Sequence, residues 1–250
     1  MYERLGVEMK KRFLAYVFLL CLCLAACSTK IPPMEEQLPI MESYEQSNES
    51  SMIQESVEEE ENREVQTKSI LQVQTDTRLG SGVLWDKQKE EWIVVTAAHV
   101  VEGLQEAEVY LVQEDKILPA RVWCVKGLDL AFLIVSVGLL DEKVERGYSP
   151  VRQMTDNIEE GTIIYTKGYN SYGELCEFSG KVLGDWIYVE DFDNYMHICD
   201  CQAIPGMSGG AVVTENGGLA GLICGENDKG ILAVLPVGII QNEYELFQKN

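Results

Sequence analysis

The chain has 250 residues, of which 46% are apolar and 24% charged, with a formal net charge of −21. This apolar content marks most of it as globular rather than disordered, and the length allows one large domain or two small ones. The acidic excess argues against a nucleic-acid binder, because phosphate backbones are held by clustered Lys and Arg.

The one basic run, Lys10-Lys11-Arg12, precedes the apolar stretch Phe13–Ala26 and then Cys27. A basic start, a short apolar core and small residues before a cut site describe a secretory signal peptide. The stretch has 14 residues, short of the roughly 20 that span a bilayer as a helix. Leu24-Ala25-Ala26-Cys27 resembles the lipobox of bacterial lipoproteins. That resemblance implies cleavage after Ala26, a diacylglyceryl group on Cys27, and anchoring at the extracytoplasmic face of the cell membrane. The basic run sits far in, which favours Met9 over Met1 as the native start. After export five cysteines remain besides Cys27: Cys124, Cys176, Cys199, Cys201 and Cys224. An odd number leaves at least one thiol outside any internal pairing, and an oxidising compartment allows one or two disulfides.

Residues 27–66 are rich in Glu, Ser, Gln and Pro, with Glu58–Glu61 the densest charge. Such a segment buries too little to offset its ordering entropy, so it reads as a disordered linker spanning roughly 35 Å. From residue 67 the texture changes. Short β-rich runs recur at Ile70–Thr75, Gly82–Asp86, Trp92–Thr96, Glu108–Val112, Leu118–Val125 and Ala131–Val135. A second set follows at Thr162–Lys167, Phe178–Leu183, Trp186–Val189, Met196–Cys199, Gly210–Thr214, Leu219–Cys224 and Ile231–Leu235. Evenly spaced short strands point to an all-β sandwich or barrel architecture. The polar stretch Asp141–Glu160 divides them into two sets of about six, which suggests two barrels, about 67–140 and 160–245. No internal sequence repeat is evident.

A serine hydroxyl needs an adjacent base, and that base needs a carboxylate to orient it. The chain contains only two histidines, His99 and His197. His99 ends the apolar run Trp92–Ala98, where small Ala97 and Ala98 allow a tight turn that presents the imidazole at a strand end. Asp129 opens the apolar run Leu130–Val135, 30 positions later in the same half. Ser208 lies in Pro205-Gly206-Met207-Ser208-Gly209-Gly210, whose glycines permit unusual torsions and close substrate approach. The amides of Gly206 and Ser208 can converge there on one oxyanion, with Met207 between them a further candidate donor.

Together these residues resemble the trypsin-like, chymotrypsin-fold serine peptidases, and among them the bacterial HtrA/Deg branch. The motifs are Gly80-Ser81-Gly82-Val83, Thr96-Ala97-Ala98-His99-Val100, Asp129-Leu130-Ala131, Gly206-Met207-Ser208-Gly209-Gly210 and Leu232–Pro236, across about residues 67–245. The resemblance implies two six-stranded antiparallel β-barrels with the active site between them. It implies catalytic His99, Asp129 and Ser208, an oxyanion hole at Gly206 and Ser208, protein or peptide substrates, and no metal or organic cofactor.

Three departures accompany the resemblance. Too few residues follow Phe247 for a PDZ domain, so that branch's allosteric activation and trimer assembly are not expected to transfer. Met207 stands where the branch has Asn and digestive enzymes have Asp, which leaves a second reading open: a weak or inactive fold serving as a tethered binding module. Gln202 occupies the place where Lys- and Arg-selective enzymes carry Asp, so an uncharged residue is expected in a pocket walled by Gln202, Ile204, Pro205, Cys224 and Gly225. An esterase using the same three residues is a third reading. Finally, His197, Cys199 and Cys201 alternate and would share a strand face. With Cys176 or Cys224 they have the ligand types of a zinc site, but export favours disulfides and no CxxC pair is present.

Overall fold

The computed structural model describes residues 68–151 and 158–249. The expected signal peptide (1–26), the Cys27 lipidation site and the linker (27–66) lie outside them. Among the described residues, no helix is long and apolar enough to cross a membrane.

Strands β1 (Ile70–Gln74), β2 (Leu79–Lys87), β3 (Glu91–Thr96), β4 (Glu106–Leu111), β5 (Lys116–Cys124) and β6 (Ala131–Ser136) close one barrel in the order β1-β2-β3-β6-β5-β4. Strands β7 (Ile163–Tyr169), β8 (Leu175–Val189), β9 (Asn194–Asp200), β10 (Ala211–Thr214), β11 (Leu219–Glu226) and β12 (Leu232–Pro236) close the second as β10-β11-β12-β9-β8-β7. Read from β7, the second order is the first with every strand advanced by six, so the two barrels share one antiparallel topology without sharing a sequence repeat. Helices α1 (Ala98–Val101) and α2 (Glu142–Arg146) sit in connections, and α3 (Val237–Phe247) follows the last strand. The fold is the expected pair of six-stranded antiparallel barrels.

The side-chain pattern explains why the barrels pack as a pair. On β4 buried and exposed residues alternate, as a strand with one wet face requires. On β3 nearly every residue is buried. Trp92 and Val94 face the interior of barrel one with Leu71, Leu84 and Leu133. Ile93 and Val95 face outward into a cluster that includes Val213, Leu222 and Leu235 of barrel two. A strand apolar on both faces is a strand with a neighbour on each side. Helix α3 extends that cluster: Phe247 stacks on Phe132 at 4.9 Å between centroids, and the Tyr244 hydroxyl donates to Asp86 Oδ2 at 2.5 Å. The end of the chain thus straps barrel one.

Two features differ from the strand pattern read in the sequence. The runs Phe178–Leu183 and Trp186–Val189 belong to one 15-residue strand, β8. Its pairing with β9 shifts at Val182/Gly184 and again at Gly184/Ile187, and Trp186 has φ 50°. Such bulges interrupt the period-2 alternation, so one bent strand reads as two. Helix α3 is the other: four residues follow Pro236 before its polar face begins, and the strand pattern does not announce it.

Barrel two also buries an imidazole. His197 on β9 is 4% exposed and its Nδ1 lies 2.8 Å from Asp185 Oδ1. Burial pulls its pKa below the ordinary 6.5, against the opposite pull of Asp185. The folded state therefore binds fewer protons than the unfolded chain in mildly acid solution. The stability contributed by neutral His197 is present above pH 6.5 and falls as the pH drops below it. Urea midpoints taken between about pH 7.5 and 5 should decline more steeply for the wild type than for His197→Gln, beyond the carboxylate background common to both.

Candidate active site

Register places the two candidate polar partners of Ser208. Strands β3 and β6 are antiparallel with Thr96 opposite Ala131, so the residues just past β3 and just before β6 emerge at the same barrel end. His99, in α1, and Asp129, two residues before β6, meet there. His99 Nδ1 lies 2.9 Å from Asp129 Oδ2 and 3.1 Å from Oδ1, and the His99 backbone N–H donates to Oδ1 at 2.9 Å. A carboxylate only accepts, so Nδ1 carries the hydrogen and Nε2 is left as an acceptor. The Asp129 side chain is 12% exposed and that of His99 45%, which puts the carboxylate behind the ring and the ring at the surface. Arg78 Nη1 donates to the His99 carbonyl oxygen at 2.8 Å and ties α1 to the β1–β2 hairpin.

Cys224 of barrel two lies near Asp129. Its thiol is buried and donates to the Leu222 carbonyl at 3.8 Å. Burial first, and then the charge of Asp129, push that thiol well above its ordinary pKa. Cys224 contributes its backbone to the expected pocket wall.

Barrel two presents Ser208 in the turn between β9 and β10. Gly206 has φ 101° and Gly209 φ 80°, torsions that favour glycine. A Cβ on Gly209 would collide with the Ser81 carbonyl oxygen and Thr96 Oγ1 of barrel one, so the turn is pressed against the neighbouring barrel. Met207 N–H donates to the Ile204 carbonyl, Gly209 N–H to Ile223 and Gly210 N–H to Met207. Among the described residues, the amides of Gly206 and Ser208 have no backbone acceptor. The Pro205 carbonyl accepts from Ser171 N and Ser171 Oγ, both at 3.0 Å. In a trans peptide the N–H points opposite to the C=O, so this anchor turns the Gly206 N–H away from Ser171. Met207 is not a donor to this spot. Its side chain is fully buried in the core of barrel two, and its Sδ accepts from Ile204 N at 3.5 Å.

Ser81 joins the halves. Its N–H donates to the Ser208 carbonyl at 2.8 Å, and its Oγ accepts from Tyr169 N at 2.8 Å and donates to the Gly206 carbonyl at 2.9 Å. Thr96 Oγ1 donates to the Ser81 carbonyl at 2.7 Å. His99, Ser208, Gly206, Pro205 and Ser171 line one cleft of about 470 Å³, closed on its far side by Thr75–Leu79.

A trypsin-like peptidase domain matches residues 80–222, more than half of the chain. The chain belongs to the trypsin-like peptidase family. Solved structures similar to this trypsin-like peptidase include the Rv3671c protease in an inactive form, 20% identical over 71% of this chain and 87% of that one, with a TM-score of 0.57. A mutant of Rv3671c from M. tuberculosis H37Rv, also inactive, is 19% identical over 74% and 89%, with a TM-score of 0.59. The serine endoprotease from Yersinia pestis is 18% identical over 76% of this chain and 66% of that one, with a TM-score of 0.61. No curated protein sequence matches the chain.

The remaining sequence-selected residues of this trypsin-like peptidase fall beside the nucleophile turn. Gln202 is exposed, and its carbonyl accepts from Thr166 Oγ1 at 2.8 Å. Ile204 packs half-buried against the barrel-two core, and Pro205 lines the cleft. Gly225 lies on β11 beneath the Phe192 ring. Among the described residues no three His, Cys, Asp or Glu side chains gather as a metal site. Cys124, Cys176, Cys199, Cys201 and Cys224 are all thiols, so the one or two disulfides that export allows are not formed. Buried Cys199 and Cys201 share a strand face and fill the core, where burial drives Cys199 up to about 12. Ser171 and Arg78 escape sequence reading, because each acts through a contact between distant segments.

Replacing Ser81 by Ala would leave the Tyr169 N–H and the Gly206 carbonyl buried without their partner, at a cost of about 2–3 kcal/mol. Urea denaturation at neutral pH should show that loss, with Ser81→Thr intermediate.

Proposed function

We propose that the chain is a lipid-anchored, extracytoplasmic serine endopeptidase that cleaves protein or peptide substrates. Ser208 is the nucleophile, His99 the general base and then acid, and Asp129 the carboxylate that orients His99. The observation that carries this reading is that His99 Nδ1 is held by Asp129 while His99 and Ser208 line the same cleft. The occupied Nδ1 leaves Nε2 to take the Ser208 proton as Oγ attacks the scissile carbonyl carbon. Negative charge then develops on the carbonyl oxygen within the turn whose Gly206 and Ser208 amides are uncommitted. A donor so placed is worth about 3 kcal/mol in comparable sites. The imidazolium next gives its proton to the leaving amine, and a water repeats the cycle on the acyl-enzyme. Asp129, which accepts from the His99 backbone N–H and from Nδ1, lies behind the ring and stabilises the imidazolium.

Anchoring at the cell membrane rests on the sequence: the basic start, the short apolar core and Leu24-Ala25-Ala26-Cys27. The acidic linker would hold the peptidase off the bilayer. The alternative of an inactive binding module depended on Met207 disrupting the turn. With Met207 packed inward, that alternative loses its specific motive.

A fluorophosphonate probe should label the wild-type chain at Ser208, fail on Ser208→Ala, and react with His99→Ala about a thousandfold more slowly or not at all. A folded wild type that resists labelling would overturn the assignment. Peptide amides as well as esters should be cleaved, which separates a peptidase from an esterase. In fractionated cells Cys27→Ser should move the chain out of the membrane pellet.

A further inference from the structure

The two segments expected to wall the P1 pocket are joined by one hydrogen bond, from the Ala203 N–H to Glu226. Residues 202–205 form one, and the end of β11, from Cys224 to Glu226, forms the other. Strand β10 pairs with β11 only as far as Leu222, and the last bonds between them join Ile223 to Gly209 and Gly210. Beyond that point, among the described residues, this edge of β11 has no strand beside it. The opposite edge stays paired with β12, Gly225 facing Ala233. A peptide whose carbonyl oxygen meets the Gly206 and Ser208 amides can extend along that open edge. Its P1 side chain, N-terminal to the cut bond, then falls between the two walls.

Both walls carry little side chain at this level, Ala203 on one and Gly225, beside the Phe192 ring, on the other. Glu226 spans the space between them, its Oε2 accepting the Ala203 N–H at 2.8 Å. The hairpin behind Glu226 is fixed: Asn227 N–H donates to the Ile231 carbonyl, and Asn227 Oδ1 accepts from Lys229 N and Ile231 N. The carboxylate is exposed but tied by the Ala203 N–H. One N–H uses a fraction of the lone pairs a carboxylate offers. Among the described residues no Lys, Arg or His forms an ion pair with it.

Resting on the reading of Ser208 as nucleophile, we infer that Glu226 determines P1 specificity and selects lysine or arginine. Gln202 pointed to an uncharged residue because the acid was sought on its wall; Glu226 supplies the acid from the opposite one. A guanidinium or ammonium between the walls completes the carboxylate's hydrogen bonding and neutralises its charge. An acidic side chain meets like charge, and an apolar one strips water from the carboxylate without replacing it. The net charge of −21 favours the approach of cationic segments as well.

The purified full chain should be given peptide amides that differ only at P1, carrying Arg, Lys, Leu, Ala or Glu. The expected kcat/KM for Arg and Lys exceeds that for Leu by about tenfold or more, and Glu226→Gln lowers the Arg-to-Leu ratio by about tenfold to a hundredfold. Glu226→Lys should shift the preference towards Glu. A measurement without turnover reads the same contact: benzamidine should bind the Ser208→Ala chain, and about tenfold more weakly once Glu226→Gln is added. Three outcomes overturn the inference: a wild type that prefers Leu or Ala, an Arg-to-Leu ratio unmoved by Glu226→Gln, or benzamidine binding indifferent to that change. A gain in Leu cleavage in Glu226→Ala with no Arg preference in the wild type would show a plug instead, and overturns it too. If Ser208 resists fluorophosphonate, the peptidase reading fails, while benzamidine binding still decides Glu226.

Discussion

The site depends on one buried serine that does no chemistry itself. Ser81 offers a backbone N–H to the Ser208 carbonyl and a hydroxyl to both the Gly206 carbonyl and the Tyr169 N–H. Barrel one contributes His99 and Asp129, and barrel two contributes Ser208 and the amides beside it. Neither half holds a complete arrangement. The distance between His99 and Ser208 is therefore set by how the barrels abut, and Ser81 is where backbone meets backbone at that junction. Gly209 shows how close the approach is, since even a methyl group there would strike Ser81 and Thr96.

Strand ends explain why the functional residues cluster. Register on β3 and β6 brings His99 and Asp129 to one rim, although 30 residues separate them. The same wiring in barrel two brings β10 and β11 together around Ser208. The Asp129 carboxylate takes both of its donors, backbone N–H and ring Nδ1, from His99, so one residue fixes the other at the rim.

Much of this was legible in the chain because local patterns carry local structure. The apolar runs mark eleven of the strands, and the glycines around Ser208 announce a turn. The scarcity of histidine narrows the search to two rings, of which His99 meets Asp129 at the barrel rim and His197 is buried beside Asp185. What escaped reading has a common physical character. Helix α3 earns its place by packing Tyr244 and Phe247 on barrel one, and nothing in its own period reveals that. The bulges of β8 hide a continuous strand behind broken alternation. Ser171 and Glu226 matter through partners 34 and 23 residues away, and such pairings exist only once the topology is known. Met207 illustrates the converse: an unusual residue in a familiar turn proves to be core filling.

The strap formed by α3 has a temporal meaning. A chain made from its N-terminus completes the six strands of barrel one before Ser208 has been added, and domains tend to form in that order. Yet the residues that lock the shared core, Tyr244 and Phe247, come after every strand of both barrels. Both barrels and the Ser208 turn are then complete before the strap closes, so the join between the halves is secured after each half has its own strands.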